Sequence, residues 1–170
     1  MRGDAPLSGI IFRPDVRFAF GHPAHFIALG FGAGLARFAP GTAGTLVAVP
    51  IWYLIGEGYE PAVLLALIAL FFAVGVWACD ITGRHLGVAD HGAMCWDEIV
   101  AFLLVLAVAP AEFGWQAAAF VLFRVFDVTK PPPIRALERR FKGGFGVMLD
   151  DLAAAGYTLL VLALAKRFLF

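Results

Sequence analysis

The feature that most constrains this chain is a run of 19 residues, 61–79, which reads PAVLLALIALFFAVGVWAC and contains no charged side chain. A helix needs about 20 mainly apolar residues to cross the hydrocarbon core of a bilayer, so this run predicts a transmembrane helix. The composition agrees, because 61% of the residues are apolar and 15% are charged. Soluble domains average about 45–50% apolar and about 25% charged residues, so the sequence predicts an integral membrane protein.

Four shorter apolar runs accompany this one, over residues 42–56, 99–111, 113–123 and 152–165. Runs of about 10–14 residues are ambiguous by themselves, because they also form buried or re-entrant helices. Short or interrupted helices are tolerated in a membrane where they line a polar cavity enclosed by protein. We therefore predict an all-α, polytopic helical bundle with four or five spans, built as a single domain over residues 1–170.

Two kinds of signal are absent from the sequence. The first 20 residues carry five charged side chains and no apolar block of signal-peptide length, so they predict a polar lead-in rather than a cleaved secretory signal. The two cysteines, Cys79 and Cys95, form neither a disulfide framework nor a CxxC pair. We expect both thiols to serve packing.

The charged residues balance overall but segregate along the chain. The 13 basic and 13 acidic residues give a net charge of zero, which argues against a nucleic-acid partner because such proteins carry a basic excess. If the apolar runs cross the membrane in turn, 11 of the 13 basic residues lie on one side, all but Lys166 and Arg167. Cytoplasmic loops are enriched in lysine and arginine, so that side is predicted to be cytoplasmic. Three acidic residues lie opposite: Glu57, Glu60 and Glu112.

Acidic residues from separate segments are expected to meet at the cytoplasmic ends of the helices. Two adjacent pairs each open an apolar run and a single acid closes a third, namely Asp97 with Glu98, Asp150 with Asp151, and Asp127. Carboxylate oxygens suit hard cations, and Mg²⁺ is usually held by one or two carboxylates together with water and substrate phosphate. The sequence therefore predicts an Mg²⁺ site with the two pairs as ligands and Asp127 beside them.

The alternative for each acidic pair is a helix cap, because a carboxylate near a helix N-terminus is favourable by about 0.3–1 kcal/mol. Two pairs together with Asp127 favour the metal site over simple caps. Neighbouring residues on a helix point about 100° apart, so we expect one member of each pair to ligate while the other orients it or caps the helix.

Basic residues suited to phosphate surround these acids. Residues 124–142 contain six basic side chains and two acidic ones. The segment predicts a contact with anionic lipids or a phosphate clamp, and an inside-positive topology signal is the plainer alternative. Arg124 and Lys130 are the candidates for phosphate binding, because they bracket Asp127 at the end of an apolar run, where a buried charge needs a partner. The prolines at 131–133 are expected to end any helix.

The stretch PGTAGT predicts a further phosphate contact, because it precedes an apolar run. Either Thr42 or Thr45 is expected to cap the helix. Backbone N–H groups at Gly41, Thr42 and Gly44 would then be available to bind an anion. The alternative is a flexible joint, which is the more common use of glycine.

A second glycine-rich stretch, KGGFG at 142–146, would let the backbone and Lys142 approach a ligand closely, with a flexible joint again the alternative. His91, in the sequence ADHG, is the histidine best placed as a proton donor or acceptor. No cysteine-phosphatase loop and no DxDx pair is present, so the sequence offers no obvious nucleophile for a covalent intermediate. Water activated by a metal ion is therefore the expected nucleophile.

Four motifs together resemble the phosphatidylglycerophosphatase A family. They are GFGAGLARFAPGTAGTLVAVP at 30–50, DHGAMCWDEIV at 90–100, FRVFDVTKPPPIR at 123–135 and KGGFGVMLDD at 142–151, in the family's order and spacing. The resemblance implies an all-helical, Mg²⁺-dependent phosphatase of the bacterial inner membrane that converts phosphatidylglycerophosphate into phosphatidylglycerol. The chain departs from the family pattern at Pro132, where the family often has tryptophan, and this departure concerns a lipid or interface contact.

The resulting hypothesis is a multi-pass membrane enzyme whose active site faces the cytoplasm. Its substrate keeps its acyl chains in the bilayer, and its expected partners are membrane lipids, with no nucleic acid and no protein partner. The alternative is a small divalent-cation transporter. A transporter would place acidic residues near the membrane midplane, whereas these acids lie at the ends of the apolar runs.

Overall fold

The computed structural model describes residues 13–56 and 58–169, so Glu57 and the first 12 residues of the predicted lead-in lie outside it. The described residues form α-helices and one short 3₁₀ segment and contain no β-strand, which confirms the all-α prediction. The elements are α1 (Val16–Gly21), α2 (Pro23–Ala28), the 3₁₀ segment (Gly30–Leu35), α3 (Pro40–Ile55), α4 (Pro61–Leu86), α5 (Trp96–Val108), α6 (Phe113–Thr129), α7 (Ile134–Arg140) and α8 (Gly143–Leu169).

Two helices, α4 and α8, are long and apolar enough to cross a membrane within the described ranges. The predicted span 61–79 lies entirely inside α4, and the run 152–165 lies inside α8. The prediction of four or five spans is not confirmed. The run at 99–111 falls largely in α5, which has 13 residues, 10 of them buried among the other helices. A helix that is apolar on all sides belongs in a core, so α5 is the centre of the bundle.

Prolines set the boundaries of several helices. Pro40 and Pro61 are the first residues of α3 and α4, where the missing N–H of proline costs no hydrogen bond. At its other end, α6 stops at Thr129, and the prolines at 131–133 form a turn before α7 begins. The prediction that these prolines end a helix is therefore confirmed.

The glycine-rich stretch at 142–146 is not a flexible joint, because residues 143–146 form the first turn of α8. α8 begins at Gly143, so Asp150 and Asp151 lie two turns inside the helix and do not open it. Close packing explains the difference. A β-carbon added to Gly144 would lie 2.0 Å from the carbonyl oxygen of Val76. Glycine here brings α8 against α4.

The polar ends of several helices meet at one end of the bundle. α8 packs against α4, α5, α6 and α7, and α3 packs against α5. This arrangement brings the first turns of α3 and α5, the third turn of α8 and the last turns of α6 together. The five predicted acids and Arg124 lie on these turns, and Lys130 directly follows α6.

Candidate active site

Three carboxylates from two helices form the centre of the site. Asp97 and Glu98 project from the first turn of α5, and Asp151 projects from α8. One oxygen from each residue lies within 4.8 Å of the others. All three residues are buried, with 7%, 9% and 3% of their surface exposed. The structure thus brings together one member of the LDD pair and both members of the WDE pair.

The donor set of this group fits a hard cation. Buried carboxylates lose their hydration and repel one another, so such a cluster needs a compensating cation or bound protons. One oxygen on each acid lacks a hydrogen-bond partner among the described residues: Asp97 Oδ1, Glu98 Oε2 and Asp151 Oδ2. Oxygen donors of this kind are the ligands that Mg²⁺ prefers. These three residues can therefore hold the predicted metal.

Arg124 connects this group to α3 and to the end of α6. Its Nη1 atom lies 2.7 Å from Asp127 Oδ2 and 3.6 Å from Glu98 Oε1. The same atom donates a hydrogen bond of 3.3 Å to Thr45 Oγ1. The guanidinium thus contacts two of the predicted acids, Glu98 and Asp127.

Lys130 pairs with Asp150, which is not a member of the carboxylate group. The distance from Lys130 Nζ to Asp150 Oδ2 is 2.5 Å, and Asp150 is 4% exposed. Asp150 and Asp151 point in different directions because they are consecutive on a helix. Asp151 therefore belongs to the carboxylate group, whereas Asp150 pairs with Lys130 and does not cap the helix.

The site carries an excess of negative charge. The five predicted acids lie around two cations that contact them, Arg124 and Lys130, which leaves three formal negative charges uncompensated by these contacts. Acids buried in this way are stable only when a cation or bound protons offset their charge. The arrangement is therefore suited to holding a cation and, through that cation, a phosphate.

The PGTAGT stretch forms the first turns of α3, and the prediction of a threonine cap is wrong. The N-cap position is Ala39, which makes no side-chain hydrogen bond, and Thr42 and Thr45 lie inside the helix. The reason is Pro40, which starts the helix before either threonine. Thr45 Oγ1 instead donates to the carbonyl oxygen of Gly41 at 2.9 Å.

The two glycines of this stretch serve close packing against α5. A β-carbon on Gly44 would lie 2.6 Å from Cys95 Cβ. A β-carbon on Gly41 would lie 2.1 Å from Glu98 Oε1 and 3.0 Å from Arg124 Nη2. Gly41 therefore lies against the side chains of Glu98 and Arg124, where any larger residue would displace them.

We predict that Gly41→Ala lowers the turnover rate by about a hundredfold, because the added methyl group displaces Glu98 and Arg124 and displacements near 1 Å have effects of this size. Phosphate release by the purified variant measures the effect. Gly114→Ala is the matched control, since a β-carbon there meets no atom within 4 Å. Near-normal turnover in Gly41→Ala would contradict the role of this close approach.

The remaining predicted residues lie at the edge of the site. Lys142 lines a small cleft of about 80 Å³ together with Asp90 and Asp150. His91 Nδ1 accepts a hydrogen bond of 3.1 Å from the backbone N–H of Ala93. His91 is not a member of the carboxylate group, and its predicted role in proton transfer stays a prediction.

One polar contact was not found from the sequence. The side chains of His25 and His85 share a hydrogen bond of 2.7 Å between Nε2 and Nδ1, and His25 Nδ1 lies 3.0 Å from the carbonyl oxygen of Phe18. This pair joins α2 to the end of α4. The two residues are 60 positions apart in the chain, and no local pattern links them.

Comparisons with known proteins bear on this site. The chain is 41% identical over 140 residues to Phosphatidylglycerophosphatase A of Escherichia coli strain K12, covering 81% of this chain and 80% of that protein. It is 43% identical over 145 residues to Phosphatidylglycerophosphatase A of Haemophilus influenzae, covering 82% and 86%. A relative from Bacteroides thetaiotaomicron, 40% identical over 147 residues and covering 82% and 91%, is provisionally named a phosphatidylinositol-3-phosphatase.

No solved structure matches the chain. The family profile described as Phosphatidylglycerophosphatase A matches residues 26–166, a range that includes every residue of the candidate site. The profile match and the identity to the two curated relatives confirm the resemblance that the four motifs indicated. The chain belongs to the phosphatidylglycerophosphatase A family.

Proposed function

We propose that this protein is a Mg²⁺-dependent lipid phosphatase that hydrolyses the terminal phosphomonoester of phosphatidylglycerophosphate to phosphatidylglycerol and phosphate. The observation that carries the proposal is the group of three buried carboxylates with unpartnered oxygens, in a chain of this family. Three desolvated acids so close together do not stabilise the fold, because each raises the free energy of the folded state. A site for a cation and a phosphate accounts for them.

Each residue has a distinct part in the proposed site. Asp97, Glu98 and Asp151 would hold Mg²⁺, which when bound supplies positive charge to offset the negative charge of the phosphate during transfer. Arg124 holds Glu98 and Asp127 in place and offers its guanidinium to the phosphate.

Lys130 neutralises Asp150 and adds a second positive charge at the edge of the site. Water is the nucleophile in this proposal, since the two cysteines are buried free thiols that serve packing. Positioning and charge neutralisation would supply most of the rate enhancement, as in phosphoryl transfer generally.

The proposed enzyme lies in the bacterial inner membrane with its site on the cytoplasmic side. Two helices of sufficient length and apolarity support membrane association. α3, which is apolar but shorter, and the other short helices would complete a multi-pass bundle of four or five spans around α5. The substrate's acyl chains would remain in the bilayer, so that only its phosphorylated headgroup reaches the carboxylates at the polar end of the bundle.

The experiment that tests this function is phosphate release from phosphatidylglycerophosphate by the purified protein, with Mg²⁺ and with a chelator. We expect release that requires Mg²⁺ and returns when the metal is restored. Phosphatidylinositol 3-phosphate serves as a comparison substrate because of the third relative's name. Divalent-cation flux in proteoliposomes without any phosphate release would instead support the transporter.

A further inference from the structure

The short helix α7 carries three arginines on one face, which we call the α7 arginine face: Arg135, Arg139 and Arg140. All three are exposed, and together with Pro132 and Ala136 they line an open cleft of about 500 Å³. On the opposite side of the helix, Ile134 is 1% exposed. α7 packs against α8, and its three arginines remain exposed.

Two contacts made by the residues before α7 show where this part of the chain lies along α8. Before it, Lys130 contacts Asp150, and the Tyr157 hydroxyl donates a hydrogen bond of 2.7 Å to the carbonyl oxygen of Pro132. Tyr157 is seven residues beyond Asp150, which is about 10 Å along a helix. From Lys130 to Pro132 the chain therefore runs along α8 from the acids towards its apolar part. α7 then runs back towards Gly143, where α8 begins.

This course places α7 beside the part of α8 where the polar end of the bundle gives way to the apolar span. α8 is one of the two helices able to cross a membrane. The headgroups of a bilayer would surround it at that level. The cations of α7 therefore lie where lipid phosphates would be found.

Exposed apolar side chains lie next to these cations. Arg135 Nη2 donates a hydrogen bond of 3.0 Å to the carbonyl oxygen of Thr129, at the end of α6. On the last two turns of α6, Val125 and Val128 are 49% and 71% exposed. A phospholipid has a phosphate headgroup and apolar acyl chains. Guanidinium groups can bind the phosphate, and the apolar surface beside them can contact the acyl chains.

We propose that the α7 arginine face is a docking surface for an anionic phospholipid of the bilayer, separate from the carboxylate group that holds the reacting phosphate. Arginines near a membrane surface attract anionic headgroups, and guanidinium binds phosphate oxygens in pairs. The bound lipid would fix α7, and with it the turn that carries Lys130. This proposal does not depend on which lipid the enzyme hydrolyses.

The test compares the thermal unfolding of the full chain in nanodiscs of phosphatidylcholine and in nanodiscs that also contain phosphatidylserine, an anionic lipid without a phosphomonoester. We expect the anionic lipid to raise the Tm of the wild type by about 5 °C. The triple variant Arg135→Gln, Arg139→Gln, Arg140→Gln should lose this rise. The control Lys166→Gln, Arg167→Gln, which removes two cations from the other end of α8, should keep it.

A second readout remains informative if the triple variant unfolds early. Ala136→Cys, labelled with a fluorophore, places a probe in the cleft, while the native Cys79 and Cys95 are buried. Brominated phosphatidylserine should quench this probe more strongly than brominated phosphatidylcholine. Equal quenching by both lipids, or a Tm rise that the triple variant retains or the control loses, would overturn the proposal. Neither readout uses catalysis, so failure here is distinct from failure of the proposed function.

Discussion

Asp151→Asn is expected to lower Mg²⁺-dependent phosphate release by at least about a hundredfold while leaving the protein folded. The substitution keeps the shape of the side chain but removes one of the three charges that would hold the metal. Asp97→Asn is expected to behave in the same way from the other helix. Phosphate release by the two purified variants measures the effect.

The same substitutions should not destabilise the metal-free protein, and this distinguishes a functional acid from a structural one. Asp151 is 3% exposed and has an oxygen with no hydrogen-bond partner in the described part of the chain. Removing a charge that is buried beside two other carboxylates relieves repulsion, so the Tm should stay the same or rise. Asp80→Asn is the control, because Asp80 forms an exposed pair with Arg84. Full activity in folded Asp151→Asn would exclude this residue from the site.

Lys130→Met is expected to cause the largest loss of stability among single substitutions at the site. It leaves Asp150, which is 4% exposed, without the lysine 2.5 Å from it. Breaking a fully buried pair in this way costs about 3–5 kcal/mol, and the partial exposure of Lys130 reduces the expected cost to about 2–3 kcal/mol. The Tm should fall by roughly 5–10 °C.

A double-mutant cycle tests the origin of this loss. In the variant with both Lys130→Met and Asp150→Asn, the buried charge that Lys130 contacts is removed as well, so stability should recover in part. Additive losses in the double variant would show that the two side chains do not act as a pair. Lys166→Met serves as the matched control for loss of a lysine, since Lys166 lies in the last turn of α8, far along the helix from Asp150.

Much of the site follows from the sequence because charged residues interrupt long apolar runs at few places. The run 61–79 predicts a helix by its length and composition, and the structure has it within α4. Asp97 and Glu98 directly precede a helix core, so their place at its first turn is a local property. Asp151 lies close to these two acids because α5 and α8 pack side by side, as the sequence predicts.

Other features depend on tertiary contacts that no local pattern contains. The glycine-rich residues 143–146 suggest a flexible joint, yet they form the first turn of α8, where Gly144 allows close contact with α4. The rotation of α8 about its axis decides which acid of the LDD pair joins the carboxylate group. In the structure Asp151 joins it, and Asp150 contacts Lys130. The short runs predict spans by their length alone, and tertiary packing is what buries α5 within the bundle.

The central claim is that Asp97, Glu98 and Asp151 hold a divalent cation. Binding of Mn²⁺, a paramagnetic substitute for Mg²⁺, to the purified protein can be followed by electron paramagnetic resonance. We predict saturable binding that Mg²⁺ displaces and that Asp97→Asn and Asp151→Asn weaken by at least about tenfold. Equal Mn²⁺ affinity in the wild type and in both variants would contradict it.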